Sequence, residues 1–115
     1  MDAVVPVQLA NFKITMPDHA KAGLVRFDLQ GLGPTMHEFN VERTDAKPGG
    51  MPLAADGTVD DQNPHDGFTH LTEREGIDMG KSATLTVRLA PGHYVLYCNM
   101  DGHYRAGMHA EVTVS

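Results

Sequence analysis

The sequence predicts an all-β fold, a Greek-key β-sandwich, on three observations. Apolar residues recur with period two in several separated segments, turn-forming residues punctuate the chain at short intervals, and no segment carries a helical apolar stripe of useful length. A chain of 115 residues with 41% apolar composition has room for one domain, residues 1–115, with two layers packed around a modest core.

From Val4 to Ile14 the apolar residues are dense and partly alternating, and Asn11 offers a turn, so one or two short strands are expected. Residues 16–23 carry Pro17, Gly23 and polar side chains, a loop composition. Val25, Phe27 and Leu29 then share one face against Arg26 and Asp28, the pattern of a half-buried strand. Gly31-Leu32-Gly33-Pro34 breaks it, and the alternation resumes with His37, Phe39 and Val41 opposite Glu38, Asn40 and Glu42. His37 therefore sits on the apolar face, as either a core histidine held by a hydrogen bond or a ligand.

Between about residues 44 and 81 the pattern weakens into turn signals, Lys47-Pro48-Gly49-Gly50, Asp56-Gly57, Asn63-Pro64 and Asp66-Gly67. A long irregular excursion is expected there, with one helical turn near 71–75. Alternation returns over Ser82–Leu89, Pro91-Gly92 turns the chain, and Tyr94–Cys98 follows as an unbroken hydrophobic run. Ala110, Val112 and Val114 mark a last strand, which brings the count to about six to eight. Tyr94, four residues before Cys98, stands where a tyrosine anchors a Greek-key corner.

The formal charge of −6 argues against nonspecific nucleic-acid binding, which requires clustered cations, and against adhesion to anionic lipid. No run approaches the ~18 apolar residues of a membrane span, and the first ten residues lack the pattern of a signal peptide. Insertion into a membrane is not expected. Seven acidic residues lie between Asp56 and Asp78, with Arg74 the only Lys or Arg among them. They form either a solvated loop face or a surface that steers a basic protein partner.

Between the last two strands lies Cys98-Asn99-Met100-Asp101-Gly102-His103-Tyr104-Arg105-Ala106-Gly107-Met108. A thiol, an imidazole and a thioether follow one another with C-x4-H-x4-M spacing. The single cysteine excludes an intramolecular disulfide, leaving an inert thiol, a nucleophile or a metal ligand. In a sandwich this loop and the start of the His37 strand can meet at one pole. Two imidazoles and a thiolate then form a trigonal set, with a weak thioether as axial ligand, the arrangement of a blue-copper site. Zinc competes for thiolate and imidazole, but a thioether is a poor fourth zinc ligand.

With these residues the chain resembles the cupredoxins. Tyr94–Cys98, Gly102-His103 and Gly107-Met108 before a final strand resemble that family's carboxy-terminal copper loop, with a spacing closer to the rusticyanin pattern than to plastocyanin's shorter one. Met36-His37-Glu38-Phe39 resembles its upstream ligand segment. The resemblance implies one type 1 copper ion with His37, Cys98 and His103 as equatorial ligands and Met108 as axial ligand. It departs at Glu38, where many members have Asn or Ser that ties the two ligand segments together.

The function so implied is one-electron transfer between redox protein partners by a small soluble monomer, through a mostly apolar surface at the His103 edge flanked by Pro34, Met36, Ala106 and Gly107. The implied location is periplasmic or extracytoplasmic. No enzyme activity is expected, because protein donors fill all four positions. A copper chaperone or storage protein is the alternative, suggested by seven histidines and seven methionines, although no M-x-x-M array is present. A copper enzyme domain related to nitrite reductase or a multicopper oxidase is a second, against which stands the lack of a His-x-His motif. His19, His65, His70, His93 and His109 are expected at exposed positions.

Overall fold

The computed structural model describes every residue from Met1 to Ser115. Nine strands follow in order: β1 (Ala3–Ala10), β2 (Lys13–Thr15), β3 (His19–Ala20), β4 (Gly23–Gly33), β5 (His37–Arg43), β6 (Thr69–Ile77), β7 (Ser82–Leu89), β8 (Gly92–Tyr97) and β9 (His109–Val114), with one 3-10 turn at Pro48–Gly50. They form two sheets, ordered β2-β1-β4-β7 and β3-β9-β8-β5-β6. Pairing is antiparallel except for β1 with β4 and β3 with β9. The expected sandwich forms, and the segment 16–23 contributes β3 as a short addition at the edge of the second sheet.

Period-two patterning explains which faces meet. Val5, Val7 and Leu9 of β1 and Val25, Phe27 and Leu29 of β4 point inward from the first sheet. Phe39 and Val41 of β5, Tyr94 and Leu96 of β8, and Val112 and Val114 of β9 meet them from the second. Phe27 and Phe39 touch across the layers with ring centroids 5.1 Å apart, and fully burying such a side chain is worth about 1.5–3 kcal/mol. The Tyr94 hydroxyl donates to the Ala90 carbonyl at 2.7 Å, the expected tyrosine corner.

The excursion is shorter than expected. It is irregular from Thr44 to Phe68, after which β6 pairs with β5 from Arg43↔Thr69 to His37↔Ile77. The expected helical turn near 71–75 is strand instead. β6 is an edge strand whose Glu73, Arg74 and Glu75 are exposed. Charged side chains protect such an edge from pairing with other chains, and they erase the apolar alternation that marks a strand.

The irregular part of the excursion lies over the outer face of the second sheet. Met51 and Val59 from it, Val95 and Tyr97 from β8, and Tyr104 form a second buried cluster, with Phe68 packed against it. β8 is thus apolar on both faces, which accounts for its unbroken hydrophobic run. The same cover buries Asn40 and Glu42, on the polar side of β5, to 0% and 3% exposure.

Candidate metal centre

His37 opens β5 on its inward face, and Cys98 follows the last residue of β8. β5 and β8 are hydrogen-bonded neighbours, paired from Asn40↔Tyr97 to Arg43↔Tyr94. That register carries both residues to one end of the sandwich. Gly33 makes the bend before His37 possible: its φ is +66°, and a Cβ there would lie 2.7 Å from Met79 Cβ. The loop after Cys98 is closed at its base by Cys98 N–H donating to Met108 O at 3.2 Å. Inside it His103 N–H donates to Met100 O at 3.0 Å, and Met108 N–H donates to His103 O at 3.1 Å.

Cys98 Sγ lies 3.4 Å from His103 Nδ1 and 3.8 Å from His37 Nδ1. All three donor atoms fall within 4.8 Å of one another. His37, Cys98 and Met108 are 0% exposed and His103 is 8% exposed. A trigonal site with bonds of first-row divalent length separates nitrogen and sulfur by about 3.7 Å, so the donors already stand at coordinating separation. Met108 belongs to the same buried cluster as Cys98.

The electrostatics fit a cation. Burial pushes the Cys98 thiol up, opposed by the backbone amides of Glu38 and Met100, while the Glu38 charge pushes it up further. The Glu38 N–H donates to Sγ at 3.4 Å. Donors aimed at sulfur favour a thiolate, and a metal ion would supply the remaining stabilisation. Burial first and His103 second hold the His37 imidazole below the usual histidine range, the neutral form that ligates. The Gly33 carbonyl raises its proton affinity, but His37 Nε2 forms no hydrogen bond of proper length and angle.

Around the donors stand residues that the sequence did not single out for this role. Thr35 Oγ1 donates to Asn11 Oδ1 at 2.7 Å, so its lone pairs face His103 Nε2 at 3.4 Å. Nε2 is thereby the protonated nitrogen and Nδ1, facing Cys98, is free to ligate. Phe12 meets the His103 ring edge-on at 5.1 Å. Asn99, next to Cys98, takes Val59 N–H on Oδ1 at 2.8 Å and donates Nδ2 to Val59 O at 3.0 Å, fastening the excursion to the ligand loop. An Asn directly after the proposed thiolate was the available signal.

The Glu38 carboxylate accepts from Asn40 Nδ2 at 3.1 Å rather than from backbone amides. Asn40 Nδ2 also donates to Tyr97 O at 3.2 Å, so Asn40 ties the two ligand-bearing strands together. Of the other histidines, only His19 is well exposed. His93 spans Thr44 O and Glu111, at 2.6 and 2.8 Å. His109 packs against Tyr104 with ring centroids 5.2 Å apart and the planes tilted by 52°, and His65 and His70 are partly covered. The covering excursion and the neighbouring strand remove these four from the exposed positions expected of them. A surface cavity of about 740 Å³ is lined by residues such as Pro6, Arg26, Gln30 and Thr84 and shares none with the donor cluster.

Two imidazoles, a thiol and a loop thioether at the pole of a Greek-key sandwich define a cupredoxin, and the donor set is that of a single type 1 copper centre. Within this class the chain belongs to the sulfocyanin family: the sulfocyanin (SoxE) domain model matches residues 10–115. A comparison with curated proteins finds no match. Among solved structures the chain is similar to auracyanin A, a "blue" copper protein from Chloroflexus aurantiacus, at 16% identity over 97% of this chain and 98% of that one, with TM-score 0.66. It is also similar to dithionite-reduced auracyanin from Roseiflexus castenholzii, at 19% identity over 100% and 98%, TM-score 0.67. Rusticyanin from Thiobacillus ferrooxidans is similar at 15% identity over 100% and 79%, TM-score 0.61. At these identities the likeness concerns the fold.

Proposed function

We propose that the chain is a one-electron carrier that binds copper through His37, Cys98 and His103 as equatorial ligands and Met108 as axial ligand. The observation that carries this reading is the convergence of both Nδ1 atoms on a fully buried Cys98 Sγ, at 3.4 and 3.8 Å. Copper, when bound, supplies the Cu(II)/Cu(I) couple. The protein's part is to keep the donors in place as charge changes: β5 holds His37, the β8 end holds Cys98, and the hydrogen-bonded loop holds His103 and Met108. Little has to move.

Electrons enter and leave at the His103 edge. Exposed Phe12, Met36, Pro34 and Ala106 support an apolar contact there. The carboxylates of the excursion and β6 favour basic redox partners. We read the chain as one domain, a monomer, working in a periplasmic or extracytoplasmic compartment.

The test is reconstitution with one equivalent of copper. An intense thiolate-to-copper absorption band with reversible reduction is expected, and Cys98→Ser abolishes the band while leaving the sandwich folded by circular dichroism. Retention of colour in that variant would sink the ligand assignment, and several colourless Cu(I) equivalents per chain would point to storage instead.

A further inference from the structure

On the outer face of the second sheet lies a second group of ligand-type side chains, separate from the copper donors. In a regular strand residues three apart point to opposite faces. β6 breaks that rule. Its register with β5 runs Asn40↔Glu73, Val41↔Thr72 and then Glu42↔His70, so Leu71 is an extra residue without an opposite number. The bulge turns His70 and Glu73 to the same side, where Asn40 and Glu42 of β5 also lie. Asp61, from the covering excursion, completes the group: one donor atom from each of Asp61, His70 and Glu73 falls within 4.8 Å of the others.

The surroundings suit a cation. His70 Nε2 lies 3.1 Å from Asn40 Oδ1 and 3.9 Å from Glu73 Oε1. Asn40 is 0% exposed, and its amide nitrogen is spent on Glu38 and Tyr97, so its oxygen accepts the His70 Nε2–H and leaves Nδ1 as the nitrogen with a lone pair for a metal. Behind them Glu42, 3% exposed, accepts the Tyr97 hydroxyl on Oε1 and has no protein partner for Oε2. Glu42 lines the same cavity, about 260 Å³, as Asp61 and His70. No basic side chain answers these carboxylates: Arg74, the one cation of the acidic stretch, lines the other cavity beside Asp28. Burial raises both Glu42 and Glu73, and nearby carboxylates add to the shift of each.

We propose that Asp61, His70 and Glu73, backed by the buried carboxylate of Glu42, form a second metal site for a borderline divalent cation of the zinc type. One imidazole nitrogen with two or three carboxylate oxygens is a set that such ions accept, whereas magnesium and calcium prefer oxygen alone. Ligand atoms around such an ion stand about 3.3 Å apart, so the present spacing closes by shifts of the exposed Glu73 and of the Asp61 loop. Bound metal would join the excursion to the edge strand and lock the cover over Tyr97, the residue before Cys98. The site is independent of the copper reading.

The test titrates copper-loaded protein with Zn²⁺ alone by calorimetry and follows the histidine rings by NMR in the reduced, diamagnetic state. Expected are one saturable equivalent that leaves the copper absorption unchanged, a perturbed His70 ring, and a rise in Tm. Asp61→Asn and His70→Gln should each weaken binding by about tenfold or more, while His19→Gln leaves it unchanged. Both site variants are checked for the native circular-dichroism spectrum. No saturable equivalent, an equivalent that bleaches the copper band, or one that survives both substitutions overturns the proposal.

Discussion

Replacing Asn99 with Ala separates the stability of the cover from the chemistry of the metal. The side chain makes two hydrogen bonds to Val59, at 2.8 and 3.0 Å, and Val59 is 2% exposed. Truncation removes both bonds and leaves the buried Val59 N–H with no partner, while the Val59 C=O keeps the Asp61 N–H at 3.1 Å. A net hydrogen bond contributes ~1 kcal/mol and an orphaned buried group costs ~1–3 kcal/mol, so a loss of about 2–4 kcal/mol is expected. For 115 residues the unfolding entropy is ~0.24 kcal/mol/K, which turns that loss into a drop of roughly 8–16 °C in Tm. Asn99→Asp keeps the acceptor for the Val59 N–H and loses only the donor to a carbonyl that Asp61 still satisfies, so a smaller loss of about 1 kcal/mol is expected. Chemical denaturation of the metal-free protein, followed by circular dichroism, reads the loss directly. No donor atom is removed, so the copper-loaded variant should keep its colour. A loss below about 0.5 kcal/mol would refute the view that Asn99 fastens the excursion, and a loss of colour would mean that it acts on the metal itself.

Met108→Leu keeps the core filled, at less than about 1.5 kcal/mol, and removes the proposed axial donor, which would favour Cu(II); voltammetry should record a higher reduction potential, and an unchanged one would remove Met108 from the ligand set. Thr35→Val takes away the acceptor for His103 Nε2–H; at a 3.4 Å separation the copper affinity should fall by about tenfold, the low end for such supporting contacts, as measured by competition with a chelator. Glu42→Gln tests the buried carboxylate. Burial raises its folded value above the ordinary glutamate one, so its contribution to stability is present below that ordinary value and is lost as pH rises through the folded one. In metal-free buffer the variant should therefore melt higher than the parent at pH 7, with the advantage vanishing near pH ~4.

The sequence made the inward faces legible because burial on one side of a strand leaves a period of two. That held for β4, β5, β7 and β9, and for the soft donors at the end of β8. It failed wherever burial came from the other side. Asn40 and Glu42 read as a solvated face because they are polar, yet the excursion covers them, and the only trace of that cover was the two-sided apolar run of β8, whose Val95 and Tyr97 needed something to pack against. β6 left no trace at all, since an edge strand that gains its place through backbone pairing needs no apolar alternation, and its bulge at Leu71 is invisible in the side chains.

The tie between the ligand strands follows the same logic. The cupredoxin resemblance placed that tie at residue 38, where this chain has a glutamate. Residues 38 and 40 share a face of β5, so an amide two positions on reaches the same neighbouring strand: Asn40 donates to Tyr97 O and also holds the Glu38 carboxylate. With its side chain held there, Glu38 is left to serve Cys98 through its backbone N–H, which no sequence comparison at that position could reveal. Strand geometry conserves the face on which a contact can be made, and the residue that makes it can move by two.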